Sequence, residues 1–250
     1  MWANEFSTAL ARLCQHARRL AGSPCLLCKK GTPEHALCDA CEETLPRPLR
    51  PCPVCSLPAA ATTACPSCVQ SHPPYDRTIA VYRYRTPVDR LMRDLKFNGR
   101  LALAGYLALQ LERAIGAVDR RPVAAPDLVL AVPISAERLR QRGYNQTHEI
   151  ARRLRLPDRP RYRTDLLRKV RDTPAQTGLA ARQRQANLHD AFIVTEALHG
   201  RHVAVVDDVM TTGATLAEIA LALKHAGAVS VENWVVARAE RPGEPIAQSG

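Results

Sequence analysis

The sequence predicts a mainly parallel α/β sheet preceded by a small cysteine-rich domain held together by metal. Three observations lead there. Eight of the nine cysteines form four CxxC pairs between residues 25 and 68. From residue 127 onward, short apolar runs alternate with helix-patterned segments, as in a sheet covered on both faces. One such run ends in two adjacent aspartates followed by Thr-Thr-Gly, a strand–loop–helix junction of the size that cradles a phosphate.

The first segment, MWANEFSTALARLCQHARRLAG, is charged throughout and lacks the continuous apolar stretch of an export signal. Trp2, Phe6, Leu10, Leu13, Ala17 and Leu20 recur at steps of three and four, which places them on one face of an amphipathic helix. That face is expected to dock on the chain itself, with Cys14 a small buried side chain beside it. No stretch approaches the roughly 18 apolar residues of a membrane span. A cytoplasmic location, where thiols stay reduced, is the expectation.

The cysteines come next. The pairs are Cys25/Cys28, Cys38/Cys41, Cys52/Cys55 and Cys65/Cys68, and adding 27 to the first four numbers gives the second four. That is an internal duplication. Two residues between thiolates let a tight knuckle aim both sulfurs at one ion, and two knuckles complete a tetrahedral S₄ shell suited to Zn²⁺. All four positions are then filled, so two structural zinc ions are expected. Few large apolar residues lie here, so metal binding must supply much of the folding free energy. Disulfides and an iron–sulfur cluster are the competing uses of these cysteines. The repeat favours four consecutive cysteines per ion; a cross-braced arrangement of 25/28 with 52/55 is the alternative.

Prolines 46, 48, 51, 53 and 58 keep this region rich in turns, and SHPPYD (residues 71–76) reads as a linker because consecutive prolines forbid helix. The domains are therefore set at 1–72 and 73–250. Beyond the linker, TIAVYRY from Thr78 reads as a strand, and residues 88–95 and 101–115 read as helices. Strand 127–133, helix 145–154, a shorter strand candidate at 166–170, strands at 191–194 and 202–206, helix 216–224 and a last strand from Val229 follow. Residues 173–187 are polar and rich in Gln and Arg. The composition, 46% apolar, allows a packed core, and the formal charge of +11 favours an anionic partner. Between residues 138 and 184 fourteen basic residues face four acidic ones, a stretch that reads as a ligand surface or as a solvated arginine-rich face.

In a parallel sheet, ligands bind at the carboxyl ends of strands. Asp207 and Asp208 are expected to leave the strand there, and Val209, Met210, Thr211, Thr212, Gly213, Ala214 and Thr215 to turn into the helix. Unpaired N–H groups at a helix start attract phosphate. Gly213 permits close approach, and the three threonines offer hydroxyls. A bare phosphate would be repelled by two carboxylates; a phosphorylated sugar would welcome them, since they accept hydrogen bonds from vicinal hydroxyls and help position Mg²⁺. An ATPase strand also ends in aspartate, but the chain contains no G-x-x-x-x-G-K-[ST] loop.

The run VVDDVMTTGAT (residues 205–215) resembles the signature with which type I phosphoribosyltransferases bind 5-phosphoribosyl 1-diphosphate (PRPP). The wider chain, from about residue 25 to 238, resembles the ComF family: the cysteine pairs, LKFNG at 95–99, RGYNQ at 142–146 and RDTPAQTGLAARQRQANLHDAF from Arg171. The resemblance implies a type I phosphoribosyltransferase-like sheet, a double zinc ribbon, and a role in natural transformation, DNA uptake or use of DNA. It implies that Asp207 and Asp208 contact the ribose and act as the catalytic pair, while Thr211 to Thr215 hold the 5-phosphate. It places Pro133, Ile134, Ser135 and Arg138 in the pyrophosphate loop, with Ile134 where family members often have a second proline. It makes Arg171, Gln176 and Arg184 part of a lid that closes on the diphosphate, and Lys96 and Arg142 further anion contacts. The function expected is PRPP binding with Mg²⁺ and phosphoribosyl transfer to an acceptor that the motifs do not name. The alternative is a non-catalytic PRPP or nucleotide sensor that engages single-stranded DNA or a DNA-uptake helicase.

Overall fold

The computed structural model describes residues 23–32, 36–60, 63–118, 124–171 and 191–240. The expected N-terminal helix with Cys14, and the polar segment 173–187, lie outside the described residues. The packing divides the chain into two units, Met1–Leu45 and Pro46–Gly250.

In the first unit, β1 (Ser23–Pro24) pairs antiparallel with β2 (Gly31–Thr32), and α1 (Asp39–Glu43) starts at Cys38. The second unit repeats this pattern 27 residues on. Pro51 bridges Pro58 antiparallel, and α2 (Pro66–Ser71) starts at Cys65. The turn residues match as well: the Lys29 N–H donates to the Cys25 carbonyl, as Ser56 donates to Cys52, and both Lys29 and Ser56 have positive φ. The duplication in sequence is thus a duplication of backbone.

The second cysteine group belongs to the same unit as the sheet. Tyr75, within the stretch read as a linker, is 7% exposed and packs in the sheet's core. The Asp76 N–H donates to the Val231 carbonyl at 2.9 Å, and the Asp76 carboxylate accepts from the Val231 N–H at 2.7 Å. Prolines remove helix here, but the flanking residues still find partners in the sheet.

Five strands make that sheet, all parallel, in the order β3–β9–β8–β4–β5. They are β3 (Arg77–Arg83), β4 (Leu128–Ala131), β5 (Arg161–Tyr162), β8 (His202–Met210) and β9 (Ser230–Arg238). Among the described residues of the unit, helices α3 (Val88–Phe97), α4 (Ala102–Gly116), α5 (Ala136–Arg142), α6 (Gln146–Ala151) and α7 (Ala214–His225) accompany them. The strands expected at 166–170 and 191–194 do form, as β6 (Leu167–Lys169) and β7 (Phe192–Val194). They pair with each other in a separate antiparallel ribbon outside the parallel sheet.

Alternation along β8 sends Val203 and Val205 into a core shared with Leu216, Ile219, Ala220 and Leu223 of α7 and with Leu166, Leu167 and Phe192 of the ribbon. Ala204 and Val206 face the other way, where α4 and α6 cover the sheet. Two-sided burial explains the continuous apolar runs of β8 and β9. Every residue of β9 is buried, Glu232, Asn233 and Arg238 included. The Trp234 indole N–H donates to the Glu232 carboxylate at 3.1 Å, and the Asn233 side-chain NH₂ donates to the Thr78 hydroxyl at 3.3 Å.

Candidate functional site

A cleft of about 310 Å³ opens at the carboxyl end of β8 and β4. Lys96, Pro133, Ile134, Arg138, Arg142, Asp207, Asp208, Val209, Thr211 and Thr215, all among the residues singled out in the sequence, line it. Tyr84, Val132, Gln146, Lys169 and Phe192 line it too. None of these five was singled out in the sequence. Gln146 and Phe192 had a signal, as the last residues of RGYNQ and of RDTPAQTGLAARQRQANLHDAF; Lys169 enters because the β6–β7 ribbon ends beside the cleft.

The acidic pair differs from expectation in one respect. Asp207 and Asp208 do not leave the strand: β8 runs on to Met210, and Asp207, Val209 and Met210 stay registered with Val235, Ala237 and Arg238 of β9. The reason is the neighbour, since β9 continues past them and keeps the ladder bonded. Strand alternation then splits the pair. Asp208 shares its side with Ala204 and Val206, and meets Lys96 of α3 at 2.8 Å and the Gln146 amide of α6 at 2.9 Å. Asp207 shares its side with Val203 and Val205, toward α7, and its carboxylate accepts the Asp208 N–H at 2.8 Å.

The electrostatics follow from that crowding. Burial, then the charge of Asp208, push the Asp207 carboxyl up to about 8, against the pull of the Asp208 N–H and of Lys96. Burial would discourage charge on Lys96, but Asp208, with Asp207 behind it, holds the ammonium above its ordinary pKa. Arg142 donates to the Gln146 side-chain oxygen and lies over the Phe97 ring, 5.3 Å from its centroid. Lys96 and Arg142 thus sit at the cleft, yet they are engaged with Asp208 and Gln146.

The loop after β8 is built for close approach. Gly213 caps α7 in the left-handed region, φ +83, and the Thr212 hydroxyl accepts the Ala214 N–H at 3.3 Å. Met210 is 2% exposed and points into the core. Across the cleft, the expected loop of Pro133, Ile134, Ser135 and Arg138 is shorter than the sequence suggested, because Ser135 caps a helix there and its hydroxyl accepts the Arg138 N–H. Ser135 therefore shapes the loop and does not line the cleft. Thr147 and Asn145 fix the base of this wall by donating to the Val132 carbonyl at 2.7 and 3.0 Å. Arg171 is not among the lining residues. Gln176 and Arg184 lie outside the described residues.

The cysteines gather in consecutive fours, Cys25/Cys28/Cys38/Cys41 and Cys52/Cys55/Cys65/Cys68, with all sulfurs of a group within 4.8 Å of one another. The cross-braced alternative is not the arrangement adopted. Sulfurs of Cys28 and Cys38 lie 3.6 Å apart, Cys55 and Cys65 3.7 Å, and Cys52 and Cys68 4.0 Å. A tetrahedral zinc with bonds of ~2.3 Å separates its sulfurs by ~3.8 Å, whereas a disulfide needs ~2.05 Å. The Cys38 N–H points at the Cys25 sulfur and the Cys65 N–H at the Cys52 sulfur, 27 residues apart again. At Cys25 burial opposes the thiolate, but the N–H groups of Cys28, Cys38 and Leu27 outweigh it and bring the pKa down to about 6. Burial and the neighbouring sulfurs push Cys41 up to about 12. Four sulfurs so placed fit a dication that relieves their repulsion, so each group could hold one structural zinc.

The family profile of the phosphoribosyl transferase domain matches residues 140–248. The chain is 34% identical over 218 residues to the DNA utilization protein YhgH of Salmonella typhimurium strain LT2, covering 86% of this chain and 96% of that protein. It is 32% identical to competence protein F of Haemophilus influenzae, covering 70% and 78%. It is 25% identical to competence protein ComFC of Bacillus subtilis, covering 82% and 85%.

Proposed function

Because the chain belongs to the ComF family, with YhgH, competence protein F and ComFC, we propose that it binds PRPP and serves the uptake or use of DNA. The observation that carries this reading is the meeting of Asp207, Asp208, Thr211 and Thr215 in one cleft, at the strand end that leads into the Gly213 turn. The ribose hydroxyls donate to the two carboxylates. The N–H groups opening α7 and the threonine hydroxyls hold the 5-phosphate. Arg138 and the loop carrying Pro133 and Ile134 face the diphosphate from the opposite wall. Mg²⁺ carried by the diphosphate of PRPP would neutralise part of its charge. In the transfer, the bond from the anomeric carbon to the diphosphate oxygen breaks, the acceptor's lone pair forms the new bond, and pyrophosphate departs with the electron pair. The basic groups of the cleft stabilise that departing charge.

The Asp208–Lys96 pair gives PRPP binding a distinct entry step. Hydroxyls approaching Asp208 compete with an ammonium at 2.8 Å, and a Lys96 released from Asp208 becomes available to the diphosphate. Calorimetry with PRPP and Mg²⁺ tests the reading: binding is expected in the wild type and absent in Asp207→Asn/Asp208→Asn. Equal affinity in both refutes the site.

A second reading is favoured by the lining itself. Lys96 and Gln146 occupy Asp208, and the cleft's remaining ionisable side chains are basic apart from Asp207 and Tyr84. A PRPP or nucleotide sensor that engages single-stranded DNA or a DNA-uptake helicase would need no base for an acceptor. Pyrophosphate release on screening nucleobases and nucleotides separates the enzyme from the sensor. Reduced thiols in both cysteine groups suit a cytoplasmic protein, and no helix among the described residues is long and apolar enough to cross a membrane.

A further inference from the structure

Arg238 ends the central strand β9 and is 3% exposed. Its guanidinium does not lie in the cleft. It spans the floor beneath the phosphate loop: Nη1 donates to the carbonyls of Met210 at 2.9 Å, of Ala239 at 2.8 Å and of Thr211, while Nε donates to the carbonyl of Cys55 at 2.8 Å. One planar fork therefore ties the first two residues of the Met210–Gly213 turn to the second cysteine knuckle. Tyr75 packs beneath the same turn. It is 7% exposed, and its hydroxyl lies 3.2 Å from where a Cβ on Gly213 would stand. The Val54 side chain of the same knuckle packs against the sheet's core, and the Thr78 N–H of β3 donates to the Pro53 carbonyl at 3.1 Å.

We infer that Arg238 is a positioning residue that couples the Cys52/Cys55/Cys65/Cys68 metal group to the phosphate loop, so that metal retention there and phosphoribosyl binding strengthen each other. The physical case is geometric. A guanidinium offers five N–H donors in a rigid plane, so moving the Cys55 carbonyl moves the donors that hold Met210 and Thr211. Loss of the ion frees the knuckle that carries Cys55, and the loop then loses one side of its anchor. Coupling of two sites is reciprocal, so a ligand that orders the loop must retain the ion by the same factor. The Cys25/Cys28/Cys38/Cys41 group belongs to the other unit.

This inference rests on the reading of the loop as the phosphate site, and the test separates the two. In the full zinc-loaded chain, release of metal to a chromogenic chelator is followed with and without PRPP and Mg²⁺. Cys28→Ser removes the phase belonging to the first group and so identifies the second. Saturating PRPP should slow the second phase about tenfold, the scale of one hydrogen bond to a charged group. Arg238→Met should abolish the slowing and weaken PRPP binding by a similar factor, with Arg238→Lys, which keeps the charge but not the fork, recovering only part of it. Metal release indifferent to bound PRPP, or Arg238→Met binding PRPP as the wild type does, overturns the inference. Should the wild type not bind PRPP, the proposed function falls and the coupling is read without ligand. Amide exchange at Thr211, Thr212 and Gly213 should then rise about tenfold in Arg238→Met and on removal of zinc from the wild type, and unchanged exchange in both overturns the inference.

Discussion

Gly213→Ala tests whether the turn into α7 is held by backbone geometry or by the residues around it. Gly213 sits at φ +83, where a Cβ costs roughly 1–2 kcal/mol of backbone strain. The same Cβ would stand 2.6 Å from the Met210 terminal methyl and 3.2 Å from the Tyr75 hydroxyl. Met210 is 2% exposed and Tyr75 is 7% exposed, so making room means shifting side chains inside a packed interior, with the flexible end of Met210 the first to move. Overpacking of a filled core adds about 1–3 kcal/mol, for a total of roughly 2–5 kcal/mol. Gly200 supplies the control. It sits at φ +75 with nothing within 4 Å of its missing Cβ, so Gly200→Ala carries the strain of about 1–2 kcal/mol alone. Urea titration of both variants reads the difference as a shift in midpoint at unchanged slope. Gly213→Ala should be the less stable by at least ~1 kcal/mol and should bind PRPP more weakly, since the cap residue precedes the amides that receive the phosphate. Equal destabilisation of the two variants would refute the packing argument. It would mean that Met210 and Tyr75 yield freely and that the turn is not shaped from below.

Three further outcomes are expected. The Asp207 carboxyl, lifted to about 8 by burial and by Asp208, keeps in the folded chain a proton that the unfolded chain releases near pH 4. Stability therefore falls as pH rises from about 4 to about 8. Asp207→Asn should remove that fall, so ligand-free Asp207→Asn should exceed the wild type in stability at pH 9 and lose the advantage toward pH 5; a gap independent of pH would contradict the shift. Metal analysis of protein purified without chelator should give about two zinc ions per chain, with Cys28→Ser and Cys68→Ser each losing one; a loss of both ions from either single variant would contradict two separate S₄ groups. Gel-shift affinity for single-stranded DNA, if the arginine-rich stretch binds it, should fall linearly in a log–log plot against salt with a slope of about −0.7 per phosphate contacted; binding indifferent to salt would remove that stretch as the contact.

What could be seen in the sequence was whatever local spacing encodes. The 27-residue echo of the cysteines became a backbone echo, down to positive φ at both Lys29 and Ser56. The acids share one cleft with Thr211 and Thr215 because strand, acids and turn are contiguous. What escaped was set by distant partners. The end of β8 was placed at Val206 because carboxylates look like a strand leaving the sheet, whereas the ladder with β9 carries it to Met210. The two-residue strand β5 exists because the edge of β4 offers it hydrogen bonds, and Arg161 and Tyr162 have no periodicity to announce it. The ribbon of β6 and β7 read as part of the parallel sheet because a short apolar run carries no sign of its partner's direction. Arg238 is the sharpest case. In the sequence it is one basic residue at the end of a strand, where solvent is the ordinary expectation. Its partners stand 28 and 183 residues away and are backbone carbonyls, which no side-chain motif records. Ligand chemistry is written in neighbouring side chains and can be read from them. The positioning of that chemistry depends on carbonyls contributed by remote segments, and only the folded chain brings them within reach of one guanidinium.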